Sequence, residues 1–466
     1  MKRLFAVLLS VLLLVGLLAA CGDNGGTQSS EPTSSESSES VSSETPDVSE
    51  EPDASKEPDA SEEPDASEEP DTSDSTTTTA KPIDSDTERS TTSGITRPSN
   101  SKTSTTKTTK TTKATGVEIN NYKDAVAPLA NSKYLLTKQN KLNVAYIGGS
   151  ITAGYGSTDG NSWREKTTAW FKQTYPNAAI TEINAASGGT GTYYAKHRMD
   201  EDMLKYKPDL VFVEFVVNDK IDGCTAKQSQ ANMETIVRKC YNANPNMDIV
   251  FVYTTTVAIG TGKSNTWIDA FNKVAKQYGI ETIYAGAAMA NAGQPLKSLF
   301  MDDQVHPVDA GYAVLADEVI SRVTEILGKA GNPTKTVNHV VPPILSDGLN
   351  INTKIFYAED IKAQNASFSI GTQSFVSHTD KSADMKKGES FTFKFTGDSV
   401  GIYWYGGNTT ISCYLDGVKI VQKKALVNSN GSCFVLFDDL DMGEHTLTFT
   451  NNGKVGLRIP MVFATV

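Results

Sequence analysis

The sequence predicts a three-layer α/β/α domain followed by an all-β sandwich, both carried at the end of a long extended tether. Three observations lead there. Short apolar runs alternate with amphipathic stretches between residues 119 and 330, period-two alternation takes over from 350 to 466, and large apolar side chains are nearly missing from 22 to 117.

Residues 1–20 begin with Lys2 and Arg3, continue through the apolar run Leu4 to Leu18, and close on Leu18-Ala19-Ala20 ahead of Cys21. That run is shorter than the roughly 20 residues a helix needs to span a bilayer, so it reads as a secretion signal. The spacing resembles a bacterial lipobox. The resemblance implies that Cys21 is lipidated on sulfur and holds the protein at the outer face of the cell membrane; the plainer alternative is a cleaved signal with an incidental cysteine.

Residues 21–117 are rich in Ser, Thr, Pro, Asp and Glu and include the tandem repeat EPDASK-EPDASE-EPDASE-EPDTSD. Such a chain buries too little surface to offset its ordering entropy, and its prolines and like charges favour extension. The segment 22–117 holds 8 basic and 21 acidic residues, a net of −13 in a chain whose total is −12. The acidity therefore belongs to the tether. The nearly neutral remainder argues against a nucleic-acid partner.

In the α/β region, 118–330, the runs Val144 to Gly148, Ile180 to Ile183, Leu210 to Phe215, Ile249 to Tyr253 and Glu281 to Tyr284 read as strands. Ser162 to Tyr175, Tyr193 to Tyr206, Ser229 to Tyr241, Thr266 to Tyr278 and Asp309 to Leu327 have helical periodicity. Alternation of this kind predicts a parallel sheet covered by helices, with functional residues in the loops at the strands' carboxyl ends. Gly, Asn and Pro residues at 331–349 read as a linker. Beyond it, 350–466 alternates as in Ser390 to Phe395, Val400 to Tyr405, Cys433 to Phe437 and His445 to Phe449. Alternation places Trp404 on one face of its strand and Tyr403 and Tyr405 on the other, so these aromatics are either a platform for sugar rings or packing and domain contact.

Four segments carry chemistry. Gly148-Gly149-Ser150 ends the first strand on a turn that exposes a hydroxyl beside its own N–H. Ser187-Gly188-Gly189-Thr190-Gly191 follows the second and lets backbone N–H groups approach a ligand. Asn218-Asp219 follows the third, placing a side-chain N–H donor after an apolar run. Asp303-Gln304-Val305-His306 precedes the last helix, with a carboxylate three residues before an imidazole it can orient; Asp302 is the fallback partner.

In this set and order, over roughly residues 125–328, the segments resemble the conserved blocks of the SGNH (GDSL-like) hydrolase superfamily. The resemblance implies a flavodoxin-like catalytic layer structure joined to a jelly-roll-like sandwich. It also implies Ser150 as nucleophile, Asp303 and His306 as acid and base, and Ser150, Gly189 and Asn218 as oxyanion donors. Two positions depart from the pattern: Gly149 stands where Asp is usual, and Val216 replaces the glycine of Gly-x-Asn-Asp. The implied activity is that of an extracellular serine esterase deacetylating an O-acetylated polysaccharide of xylan or mannan type. A wall-polymer esterase, a thioesterase or a lysophospholipase are the enzyme alternatives, and a surface carbohydrate-binding adhesin is the non-enzyme one. No cofactor or metal is implied, and none of the five histidines falls in a ligand motif such as HExxH. Cys413 and Cys433, in consecutive strand-like runs, are open either to a disulfide or to remaining buried thiols, and a bridge between Cys224 and Cys240 is disfavoured by the helix between them.

Overall fold

The computed structural model describes residues 126–466 except 262–264, 348, 366–367, 377, 407–408, 427–428 and 455. The secretion signal, Cys21 and the tether to 117 thus lie outside the described residues. Helix α1 (Ala130–Tyr134) leads into β1 (Lys141–Gly148). The α/β layer then alternates as expected, through α2 (Ser150–Ala153), α3 (Trp163–Thr174), β2 (Ala179–Ala186), α4 (Thr192–Asp202), β3 (Leu210–Glu214), α5 (Val216–Ile221) and α6 (Ala226–Ala243). It closes with β4 (Asp248–Val252), α7 (Thr266–Tyr278), β5 (Glu281–Ile283), α8 (Ala285–Ala290) and α9 (Asp309–Lys329).

The strands that read as unbroken apolar runs, β3 and β4, are buried at every position because they lie inside a five-stranded sheet of order β2-β1-β3-β4-β5 whose two faces are both covered by helices. All pairings in it are parallel. One face packs on α4, α6 and α7 through Ala195, Met199, Ile236, Val237, Phe271 and Val274. The other packs on α3 and α9 through Trp163, Phe171, Tyr312, Leu315 and Val319. The order reverses between β1 and β3, so their carboxyl ends open at the switch point of the sheet, the position where such folds form a crevice.

The strand expected to run to Phe215 stops at Glu214, and α5 takes over with Asn218 and Asp219 in it. The segment 331–349, read as a linker, has no helix or strand among its described residues and is fastened to the α/β layer. Buried Glu234 accepts hydrogen bonds from the N–H groups of Leu345 and Ser346 and from Tyr278 Oη, and Arg238 reaches the carbonyl of Pro342.

The second unit is a sandwich with one short helix: β6 (Thr353–Tyr357), α10 (Ala358–Ala363), β7 (Ser369–Val376), β8 (Thr379–Met385), β9 (Ser390–Gly397), β10 (Ser399–Gly406), β11 (Thr409–Leu415), β12 (Val418–Leu426), β13 (Ser429–Phe437), β14 (Gly443–Asn451) and β15 (Leu457–Thr465). A six-stranded sheet runs β13-β10-β15-β8-β7 with β6 also on β15, and it faces a four-stranded sheet, β12-β11-β14-β9. The alternation expected for β10 decides its contacts. Trp404 points into the core between the sheets with Ile402 and Phe393, whereas Tyr403 points outward with Met461 and Phe463 against Tyr193 and Tyr194 of α4. Tyr194 lies 5.3 Å from Tyr403 and 5.1 Å from Phe463, ring centre to ring centre.

This placement corrects the reading of the aromatic run as a sugar platform. Tyr403 and Trp404 are 1% and 3% exposed, so neither has a face for a saccharide, and Tyr405 is half-buried beside Tyr403. The cause is that the outer face of the six-stranded sheet is the contact with the α/β layer. Packing, the other reading of these residues, is what the structure has. No disulfide joins Cys413 to Cys433 or Cys224 to Cys240. Cys413 sits in the sandwich core and Cys433 in the inter-domain cluster, on opposite sides of one sheet.

Candidate active site

Ser150 opens α2, directly after the carboxyl end of β1. The turn is tight because Gly148 lies against Thr152 and the Glu214 carbonyl: a Cβ at 148 would sit 2.2 Å from Thr152 Oγ1 and 2.9 Å from that oxygen. Beneath the turn, the fully buried carboxylate of Glu214 accepts hydrogen bonds from Thr152 Oγ1 at 2.8 Å and Thr254 Oγ1 at 2.6 Å. Burial pushes the Glu214 carboxyl above its usual range, against the pull of those hydroxyls and the Gly149 N–H. Glu214 thus braces the nucleophile turn from inside the protein.

His306 lies 156 residues downstream, yet its Nε2 is 2.7 Å from Ser150 Oγ, and its Nδ1 is 2.6 Å from Asp303 Oδ2. The turn that carries both is closed on itself. Asp303 Oδ1 accepts from the N–H groups of Val305 and His306, Met301 N–H donates to the His306 carbonyl, and Phe300 pairs with Pro307. Gln304 takes φ 58° at its apex and accepts a hydrogen bond from Val257 N–H in the loop after β4. Slight burial works to raise the Asp303 pKa, but the hydrogen bonds from His306 and Val305 outweigh it and hold the carboxyl below the usual range. An ionised Asp303 fixes the proton on Nδ1, which leaves Nε2 as an acceptor facing the Ser150 hydroxyl. Asp302 is exposed and makes no such contact, so Asp303 is the partner.

The donor side assembles from two other strand ends. Gly188 lies against Ser150, its would-be Cβ 3.6 Å from the serine Cβ, and the adjacent Gly189 adopts φ 70°, a left-handed conformation that favours glycine. Asn218, on α5, packs so closely on Gly149 that a Cβ there would meet its Oδ1 at 1.9 Å. The loop is anchored behind by Asp219, which accepts from Thr192 N–H at 2.7 Å and Thr192 Oγ1 at 2.8 Å at the start of α4. Burial pushes Asp219 up to about 6, opposed by the nearby Ser229 hydroxyl and by the hydrogen bonds from Thr192. All five residues expected at the site, Ser150, Gly189, Asn218, Asp303 and His306, therefore meet at one end of the sheet.

Supporting residues were not legible in sequence. Glu214 and Asp219 left only the trace of carboxylates bounding an apolar strand. Arg198, on α4, left none. Its buried guanidinium donates to the carbonyls of Ala185 and Gly148, the latter two residues before Ser150, and pairs with Asp202 at 2.6 Å. Asp202 in turn pairs with His378 of the sandwich, whose Nδ1 is 3.0 Å from Tyr194 Oη. One polar chain thus joins the second domain to the nucleophile turn.

Chemically, the arrangement presents a hydroxyl with a base at hydrogen-bond distance and a carboxylate orienting that base, with the Gly188 loop and Asn218 packed beside the serine turn. These are the parts needed for attack on an ester carbonyl. Among the described residues no cluster of three or more His, Cys, Asp or Glu side chains is arranged to hold a metal ion.

Residues 146–314, which contain all five site residues, match the model of the GDSL-like Lipase/Acylhydrolase family. No curated protein sequence matches the chain. Among solved structures, a two-domain esterase active on acetylated mannans superposes with a TM-score of 0.60 at 22% identity, over 74% of this chain and 98% of its own. The same esterase co-crystallized with mannopentaose gives 0.59 at 22% identity, over 74% and 97%. An acetylxylan esterase from Geobacillus stearothermophilus, 18% identical, covers 40% of this chain and 94% of its own with a TM-score of 0.34. The likeness to the first two extends through both domains, the parallel α/β layer and the antiparallel sandwich.

Proposed function

We propose, from the premise that this chain is a serine ester hydrolase built on an SGNH-type domain, that it removes O-acetyl groups from a polysaccharide of mannan type, outside the cell and tethered through Cys21. The observation that carries the chemistry is the hydrogen-bonded series from Ser150 Oγ through His306 to Asp303. Ser150 Oγ attacks the acetyl carbonyl while His306 Nε2 takes its proton. The tetrahedral oxyanion is met by the N–H groups of Ser150 and Gly189 and the side-chain amide of Asn218. His306 then returns the proton to the sugar oxygen as the C–O bond breaks, leaving an acetyl-Ser150 ester that water, activated by the same imidazole, hydrolyses.

Mannan is favoured over other backbones because the two structures above that match over both domains belong to an esterase active on acetylated mannans. The extracellular setting rests on the signal-like residues 1–20 and the long polar tether. The test is acetate release by the protein from acetylated mannan, acetylated xylan and a series of esters of increasing acyl length. Release from the polymers with a steep preference for acetyl is the expected result. Preference for acyl chains of eight carbons or more, with no release from either polymer, overturns the proposal.

A further inference from the structure

We infer that Tyr155 is the specificity residue of this site, a fixed aromatic platform on which the ring bearing the acetylated oxygen stacks; the inference rests on the deacetylation reading above. The geometry of the reaction locates the sugar. His306 Nε2 must return its proton to the leaving oxygen, so the alcohol half of the ester lies over the imidazole, while the acetyl methyl lies on the far side of the carbonyl. The residue found beside the imidazole is Tyr155, whose ring centre is 4.5 Å from that of His306 at an interplanar angle of 64°.

Two further properties suit it to bind. Its side chain is 57% exposed, in contrast to the buried Tyr403 and Trp404 of the sandwich, so a broad apolar face stays open to solvent next to the catalytic base. Its backbone is held on both sides. Tyr155 N–H donates to the Ser150 carbonyl at 3.0 Å, and the buried Tyr312 hydroxyl donates to the Tyr155 carbonyl at 2.8 Å. The flanking Gly154 and Gly156 have φ of 87° and 95°. A Cβ at 156 would strike Met301 Sδ at 2.5 Å and the Pro307 carbonyl at 2.7 Å, so the loop lies flat on the turn that carries His306. Asp309 then closes the loop by accepting from Thr158 N–H and Oγ1. An exposed aromatic on a rigid backbone loses little entropy when a ring stacks on it, and the flat C–H face of a pyranose is the complementary surface.

The test uses the folded protein and three acetates: an acetylated manno-oligosaccharide, phenyl acetate, and ethyl acetate, whose alcohol carries no ring. Tyr155→Ala is expected to lower the ratio of kcat/KM for the oligosaccharide over ethyl acetate about tenfold, the scale of one aromatic contact, chiefly through KM. Tyr155→Phe should restore that ratio, because the face and not the hydroxyl is used. Tyr206→Ala, which removes another exposed tyrosine (54%), leaves it unchanged. Each variant is first shown to melt at the wild-type temperature.

An unchanged ratio in Tyr155→Ala overturns the inference, as does an equal loss on all three esters, which would make Tyr155 a prop for His306. Wild-type protein that releases no acetate from the oligosaccharide overturns the functional reading and the sugar platform with it. In that case the phenyl-over-ethyl ratio in Tyr155→Ala still decides whether the ring meets the alcohol half of the substrate.

Discussion

Replacing Gly149 by alanine puts one methyl group into the donor side of the site, and the structure sets its size. The backbone at 149 has φ −89° and ψ −153°, an extended conformation open to alanine, so strain in the main chain contributes little. The new Cβ, however, would stand 1.9 Å from Asn218 Oδ1 and 2.7 Å from its Cγ. Ordinary contact begins near 3.4 Å, so the amide must retreat by about 1.5 Å, far enough to take its N–H out of reach of an oxyanion. Loss of one such donor costs about 10²- to 10³-fold in kcat, or roughly 2.7–4 kcal/mol, with KM nearly unchanged. The assay is steady-state hydrolysis of an acetyl ester by Gly149→Ala, Asn218→Ala and the double variant. The clash exists only while the amide is present, so the double variant should be no slower than Asn218→Ala alone. A kcat for Gly149→Ala within threefold of wild type refutes the reasoning, and so do single losses that multiply in the double variant.

Three further outcomes follow from the geometry. Asp303→Asn should lower kcat by about 10²- to 10⁴-fold and Asp302→Asn by less than threefold, since only the former holds His306 Nδ1; the same esterase assay separates them. Asp219 is raised in the folded state to about 6 from an unfolded value near 3.8, so its contribution to stability is fully present below about pH 3.8 and is lost as pH rises through 6. Melts of wild type against Asp219→Asn should therefore diverge in wild type's favour as pH falls from 7 to 4, by up to about 3 kcal/mol, and parallel pH profiles would contradict the assignment. Phe463→Ala empties the buried contact with Tyr193, Tyr194 and His197 and should cost about 3–5 kcal/mol; calorimetry is expected to show the transition falling or splitting in two, and an unchanged melt would mean that the domains do not depend on this interface.

By itself the sequence determined the succession of elements and singled out the candidate reacting groups. Local periodicity suffices for the first, and the second rests on the resemblance of four segments, in their order, to a known family's blocks. The helix expected over Thr266 to Tyr278 has those same bounds in the structure, and each of the four motifs stands where a strand ends or the last helix begins. The long-range pairings were decided only by the tertiary structure. Ser150 meets His306 because sheet order sets β1 beside β3 and the loop after β4 holds the histidine turn at Gln304. No local signal encodes a contact across 156 residues. The choice of Asp303 over Asp302 rests on that turn's closure, and the bracing by Glu214, Asp219 and Arg198 rests on burial, which spacing does not reveal. The same holds for Tyr403 and Trp404. Alternation separated their faces correctly, but which face meets solvent depends on what packs there, and α4 packs on one of them.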